Sequence, residues 1–99
     1  MFQADYAVTG VRYSSDRARI SHLQVRACNA YDLGPAQMET RLTVIASIER
    51  GMRYVTATQS GGRWVKGAAV EVVEVKGQKY LRTDRNQVER DNLENLPEG

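Results

Sequence analysis

One cysteine, one histidine and two prolines among 99 residues leave little room for several kinds of chemistry. The lone Cys28 excludes an intramolecular disulfide, and a cytoplasmic compartment is the simplest expectation. Cys28 and His22 are the only pair available for a thiol–imidazole dyad. Six residues apart on one strand, they lie about 20 Å from each other at ~3.3 Å per residue, far outside hydrogen-bond reach. Cys28 therefore reads as a small, half-buried packing residue. One His and one Cys do not make a zinc set, and Asp84, Asp91 and the neighbouring Asn residues match no calcium loop. No metal and no cofactor are expected. Glu71 and Glu74, three apart on one strand, point to opposite faces and do not form a catalytic carboxylate pair. No Walker loop or dinucleotide fingerprint is present, since Ser60-Gly61-Gly62-Arg63 opens no helix. No run approaches the roughly 20 apolar residues of a membrane helix. Met1-Phe2-Gln3-Ala4-Asp5 has no basic stretch leading into an apolar one, so no signal peptide is expected.

What is present is a globular composition, 41% apolar and 26% charged, sized for one domain and one core. The net charge of +2 conceals an asymmetry. Residues 1–83 carry 12 Lys/Arg and 7 Asp/Glu, whereas residues 84–99 carry two Arg and five acids. Arginine dominates the cations, 11 against 3 lysines, and its planar fork suits phosphate and carboxylate. Ordinary surface charge is the alternative account.

Residues 4–13 read as a strand rich in Val, Tyr and Thr, with Gly10 marking a bulge or a close approach. Residues 18–28 return as its hairpin partner, with Leu23, Val25 and Ala27 on one face and His22, Gln24, Arg26 and Cys28 on the other. A loop through Pro35 leads to a helix over Met38–Arg50. Leu42, Ile45 and Ile48, with Val44 alongside, form its apolar stripe. Glu39 falls in its first turn and Arg50 in its last, as the macrodipole favours, and Gly51 follows as a C-cap. Three strands follow, at residues 53–58, 69–75 and 78–83, with Trp64-Val65 opening the middle pairing and Lys76-Gly77 as a two-residue turn. The fold expected is α+β, a small β-β-α-β-β-β domain with a mainly antiparallel sheet packed on one helix.

The last sixteen residues, 84–99, are acidic and hold only Val88, Leu93 and Leu96 as strongly apolar positions. They read either as a clasp that docks its leucines on a core of residues 4–83 or as a frayed end. Thr43-Val44-Ile45-Ala46-Ser47-Ile48-Glu49-Arg50-Gly51, then Tyr54-Val55-Thr56, Tyr80-Leu81-Arg82-Thr83-Asp84, Asp91-Asn92-Leu93 and Leu96-Pro97 form a pattern. That pattern resembles the bacterial and phage-associated domain-of-unknown-function family 3892, from about Tyr6 to Pro97. The resemblance implies a small stand-alone domain with the C-terminal segment as part of it. It brings no established activity.

One positive cluster stands out. Arg63, Trp64 and Lys66 follow the Gly-Gly turn, and Lys79, Tyr80 and Arg82 lie on the last strand. Sharing one face, they would combine aromatic platforms with cations, the chemistry of base stacking and phosphate neutralisation. A buried or rim tryptophan among solvated edge charges is the alternative. The expectation is a non-enzymatic binding module for an anionic partner: nucleic acid, a nucleotide-like ligand or an acidic protein surface. A protein–protein interaction unit, such as a small inhibitor or accessory factor of a mobile element, is the competing expectation. An open sheet edge would also suit a homodimer. An enzyme would need chemistry from Tyr, Arg and Asp alone, for instance Arg82 and Asp84 in a deep pocket.

Overall fold

The first strand, β1 (Tyr6–Tyr13), pairs antiparallel with β2 (Ile20–Ala27), as the short connection between them requires. The computed structural model describes residues 4–15, 19–29, 32–83 and 96. The register of β1 on β2 slips between Val8 and Gly10, which places the expected bulge at Thr9-Gly10. A short strand, β3 (Gln37–Thr40), pairs antiparallel with β2, and α1 (Arg41–Glu49) follows without a break. Then come β4 (Tyr54–Ser60), β5 (Arg63–Val75) and β6 (Gln78–Arg82). The six strands form one sheet in the order β3-β2-β1-β4-β5-β6. Only β1 and β4 are parallel, so β3-α1-β4 is a crossover that passes over β2 and β1. The expected α+β architecture with one helix on a mainly antiparallel sheet is present.

The helix starts later than its apolar pattern suggests. Residues 38–40 pair with Gln24–His22 in β3 instead of forming a first helical turn. Thr40 is the N-cap: its backbone is extended (φ −74°, ψ 156°) and its hydroxyl accepts from the Thr43 N–H at 3.3 Å. Glu39 therefore sits in β3 rather than in the first turn, and Arg50 is the C-cap rather than a last-turn residue. The buried face also differs from the expected stripe. Val44 and Ile45 are buried and Ile48 partly so, whereas Leu42 is 72% exposed. At roughly 100° per residue, Leu42 lies on a flank about 110° from the centre of the Val44–Ile45–Ile48 stripe. The opposite flank, at Ser47, is covered by the chain leaving the helix, where the Met52 N–H bonds the Ser47 carbonyl at 3.1 Å.

The main core lies between helix and sheet, built on Val8, Ile20, Leu23, Val44 and Leu81, all fully buried. Each such side chain contributes about 1.5–3 kcal/mol relative to exposure. Leu96 is buried in the same cluster, so this part of the acidic C-terminal segment docks on the body. Val88 and Leu93 lie outside the described residues. A smaller cluster of Ala7, Leu33, Val55 and Ala57 occupies the sheet face away from the helix.

β5 is one continuous strand where the sequence pattern suggested two pieces. Its first half pairs with β4 from Ser60↔Arg63 to Tyr54↔Val70, and its second half with β6 from Glu71↔Arg82 to Val75↔Gln78. The break in pattern comes from a bulge facing Thr56, where Gly67 and Ala68 oppose a single residue. Lys76 and Gly77, at φ 52° and 78°, form the expected two-residue turn between β5 and β6.

Candidate functional site

Trp64 lies on the sheet face away from the helix, half-buried against the Ala7–Leu33–Val55–Ala57 cluster. The guanidinium of Arg26 sits over its ring, 5.0 Å from the centroid. Arg26 reaches it from β2 across two intervening strands. Ala7 faces Arg26 and Val55 faces Ala7, so the small side chains between them leave the path clear. The guanidinium is fixed as well as stacked: Nη1 donates to the Gly34 carbonyl at 3.0 Å and Nε to Thr9 Oγ1 at 3.4 Å. Thr9 Oγ1 in turn donates to Gln24 Oε1 at 2.8 Å. Arg63 and Lys66 flank Trp64 on β5 and are exposed, and among the described residues their side chains have no hydrogen bond or ion pair.

The other three candidates lie elsewhere. Tyr80 is 4% exposed and Arg82 3% exposed. Val73, the partner of Tyr80, is nine residues from Trp64 along β5, about 30 Å of strand. The six residues therefore do not make one platform. Two guanidinium groups lie over the Tyr80 ring, Arg19 at 6.0 Å and Arg41 at 5.9 Å from its centroid. Arg41 Nη2 also donates to the Lys79 carbonyl, and Arg19 Nη2 donates to Gln78 Oε1 at 3.4 Å, which ties β6 to the helix N-terminus and the β1–β2 hairpin. Lys79 is exposed but paired, with Nζ 2.6 Å from Glu49 Oε2. The hydrogen bond that the Lys79 ammonium donates to Glu49 pushes its pKa up from the ordinary value.

Cys28 and His22 do not form a dyad. Both belong to the β2 segment, and Cys28 bridges to Leu33 beyond the end of the strand. Burial raises the Cys28 thiol, with the Asp5 carboxylate adding to it, the opposite of what an activated nucleophile needs. His22 Nδ1 lies 3.2 Å from Ser21 Oγ. Among the described residues no group of three or more His, Cys, Asp or Glu side chains is placed to hold a metal ion, and no helix is long and apolar enough to cross a membrane. Asp84 lies outside the described residues.

A cleft of about 780 Å³ opens where α1 ends, β4 begins and β5 turns from β4 toward β6. Ile48, Met52, Tyr54, Val70 and Val72 give it an apolar lining, and Lys66 and Arg53 lie on its wall.

Residues 7–97 match the family described as protein of unknown function (DUF3892). The chain belongs to that family. It matches no curated protein and no solved structure.

In this DUF3892 domain Arg26 and Arg53 join the candidate surfaces although no sequence motif marks them. Arg26 was legible as one of the polar-face residues of β2. Its contact with Trp64 depends on β1 and β4 lying between β2 and β5, an order no local pattern encodes. Arg53 immediately precedes β4, and its place on the cleft follows from the way the chain leaves the helix.

Proposed function

We propose that this DUF3892 domain is a non-enzymatic binding module for an anionic partner, single-stranded nucleic acid or a nucleotide-like ligand. The contact surface is Trp64 with Arg26 and Lys66 on its face, and Arg63 beside it at the start of β5. The observation that carries this reading is the Arg26–Trp64 stack at 5.0 Å beside two cations that make no side-chain pair among the described residues. A flat base stacks on the guanidinium plane or takes its place on the indole, and Arg63 and Lys66 neutralise phosphate. Tyr80, Arg82 and Lys79 hold β6 in place and leave the contact surface. The half-buried Cys28, with no second cysteine, supports a cytoplasmic location.

Trp64 is the only tryptophan, so its fluorescence is a direct reporter. Titration with oligothymidylate and with mononucleotides at two salt concentrations is the test. Quenching that saturates and weakens with salt is expected, with a slope of about −0.7 per phosphate contact. Flat curves for every ligand overturn the reading.

A second reading has its own observation. β3 is an edge strand, and Met38 on it and Leu42 just beyond it are 50% and 72% exposed. This arrangement suits a protein partner, or a second copy, pairing along β3. Sedimentation at several concentrations, repeated with Leu42→Glu, separates self-association from a monomer.

A further inference from the structure

The cleft at the end of α1 has a charge arrangement that its residue types alone do not reveal. Three acids and three cations line it, Glu49, Glu71 and Glu74 against Arg53, Lys66 and Lys79, which suggests neutrality. Their commitments differ. Glu49 is ion-paired with Lys79, and Glu74 acts on the same ammonium. Glu71 stands opposite the buried Arg82 in the β5–β6 register and is engaged. Arg53 and Lys66 are the exceptions: among the described residues their side chains make no hydrogen bond or ion pair. The cleft thus presents two uncommitted cations beside an apolar floor of Ile48, Met52, Val70 and Val72. Its volume, about 780 Å³, falls within the range of small-molecule sites.

We propose that this cleft binds an amphipathic organic anion, an apolar chain or ring ending in a carboxylate or phosphate. The apolar body lies on Met52, Val70 and Val72, and the head group meets Arg53 and Lys66. Trp64 does not line the cleft, so this site stands apart from the stacking surface even though Lys66 borders both. A neutral molecule of the same shape gains the apolar contact alone, and the anionic head supplies the selectivity.

The test is an NMR titration of the full chain with decanoate and, separately, decyl phosphate, against decyl alcohol as the neutral match. Saturable shifts confined to the Met52 methyl and the amides of residues 66–72 are expected, with decyl alcohol at least about tenfold weaker. Arg53→Gln combined with Lys66→Gln should remove that preference. Ala69→Leu, at an exposed wall position, should fill the cleft and abolish binding while the spectrum remains folded. Trp64→Phe should leave decanoate binding unchanged, which keeps the outcome separate from that of the nucleic-acid titration. Absent or non-saturable shifts, shifts elsewhere on the surface, or equal affinity for the alcohol and the anions each overturn the proposal.

Discussion

The Thr56 hydroxyl occupies the space that a β-carbon on Gly67 would need. The same oxygen accepts the Ala68 N–H at 3.0 Å, so it satisfies a backbone donor that the bulge removes from the β4–β5 ladder. The bulge lets β5 continue as one strand from β4 to β6, and the cleft opens along the stretch from Lys66 to Glu74.

Gly67→Ala should therefore destabilise the domain by about 1–3 kcal/mol through steric overlap. Thr56→Ala alone should cost about 1 kcal/mol, because the Ala68 N–H loses its acceptor. The double variant should be less destabilised than the sum, since removing the hydroxyl makes room for the new methyl. Urea denaturation of the four proteins measures the coupling. A neutral Gly67→Ala, or strict additivity, would show that the Thr56 contact does not dictate glycine there.

Arg26→Ala should expose the Trp64 ring and shift its emission toward that of a solvated indole. The stability loss should be about 1 kcal/mol, from the stacking and the bond to the Gly34 carbonyl together. Arg26→Lys should restore little of either, because an ammonium lacks the planar fork that stacks and donates at once. Unchanged emission in both variants would mean that Arg26 does not cover the ring.

At alkaline pH two groups act in the same direction. Burial raises the Tyr54 phenol, with Glu39 and Tyr6 adding to it and the Ser47 hydrogen bond and Arg50 opposing it; the Glu49 hydrogen bond raises Lys79. Each group binds its proton more tightly when folded than when unfolded. Their contribution is complete below the unfolded values, about 10 for tyrosine and 10.4 for lysine, and is lost as pH rises through the folded values. Denaturation midpoints should hold up to about pH 9.5 and then fall. Tyr54→Phe should flatten part of that fall, and Lys79→Gln a smaller, salt-sensitive part, because the ion pair is exposed. A pH profile that neither substitution alters would remove both groups as its cause.

Much of the architecture was legible in local pattern. The β1–β2 hairpin, the bulge near Gly10, the Lys76-Gly77 turn and the single helix each depend on residues close in sequence. What escaped depends on partners far apart. Residues 38–40 carry no signal against helix in their own composition. They become a strand because β2 offers an edge and Thr40 then caps the helix behind them. Gly67 looks like a strand breaker until Thr56 is known to sit beneath it. The split of the basic–aromatic cluster has the same origin: a thirteen-residue strand carries Trp64 and the partner of Tyr80 to different parts of the molecule.

The helix face gives the sharpest separation of sequence pattern from packing. Leu42, Ile45 and Ile48 look equivalent at three-residue spacing, yet Ile45 is 5% exposed and Leu42 72%. Truncation of Ile45 to alanine leaves a cavity against Val44 and the sheet and should cost about 2–4 kcal/mol. Truncation of Leu42 removes a side chain already in water and should change stability by less than about 0.5 kcal/mol. Ser47, polar and buried, reverses the pattern: Ser47→Ala removes the hydrogen bond to the Tyr54 phenol and the side-chain contact from Arg50 at 3.4 Å, and should cost about 1 kcal/mol. Thermal melts of the three single variants rank them Ile45, Ser47, Leu42 in order of loss. A large loss at Leu42 with little at Ser47 would mean that the helix is rotated about its axis from the position described, with the apolar stripe as read from spacing facing the sheet.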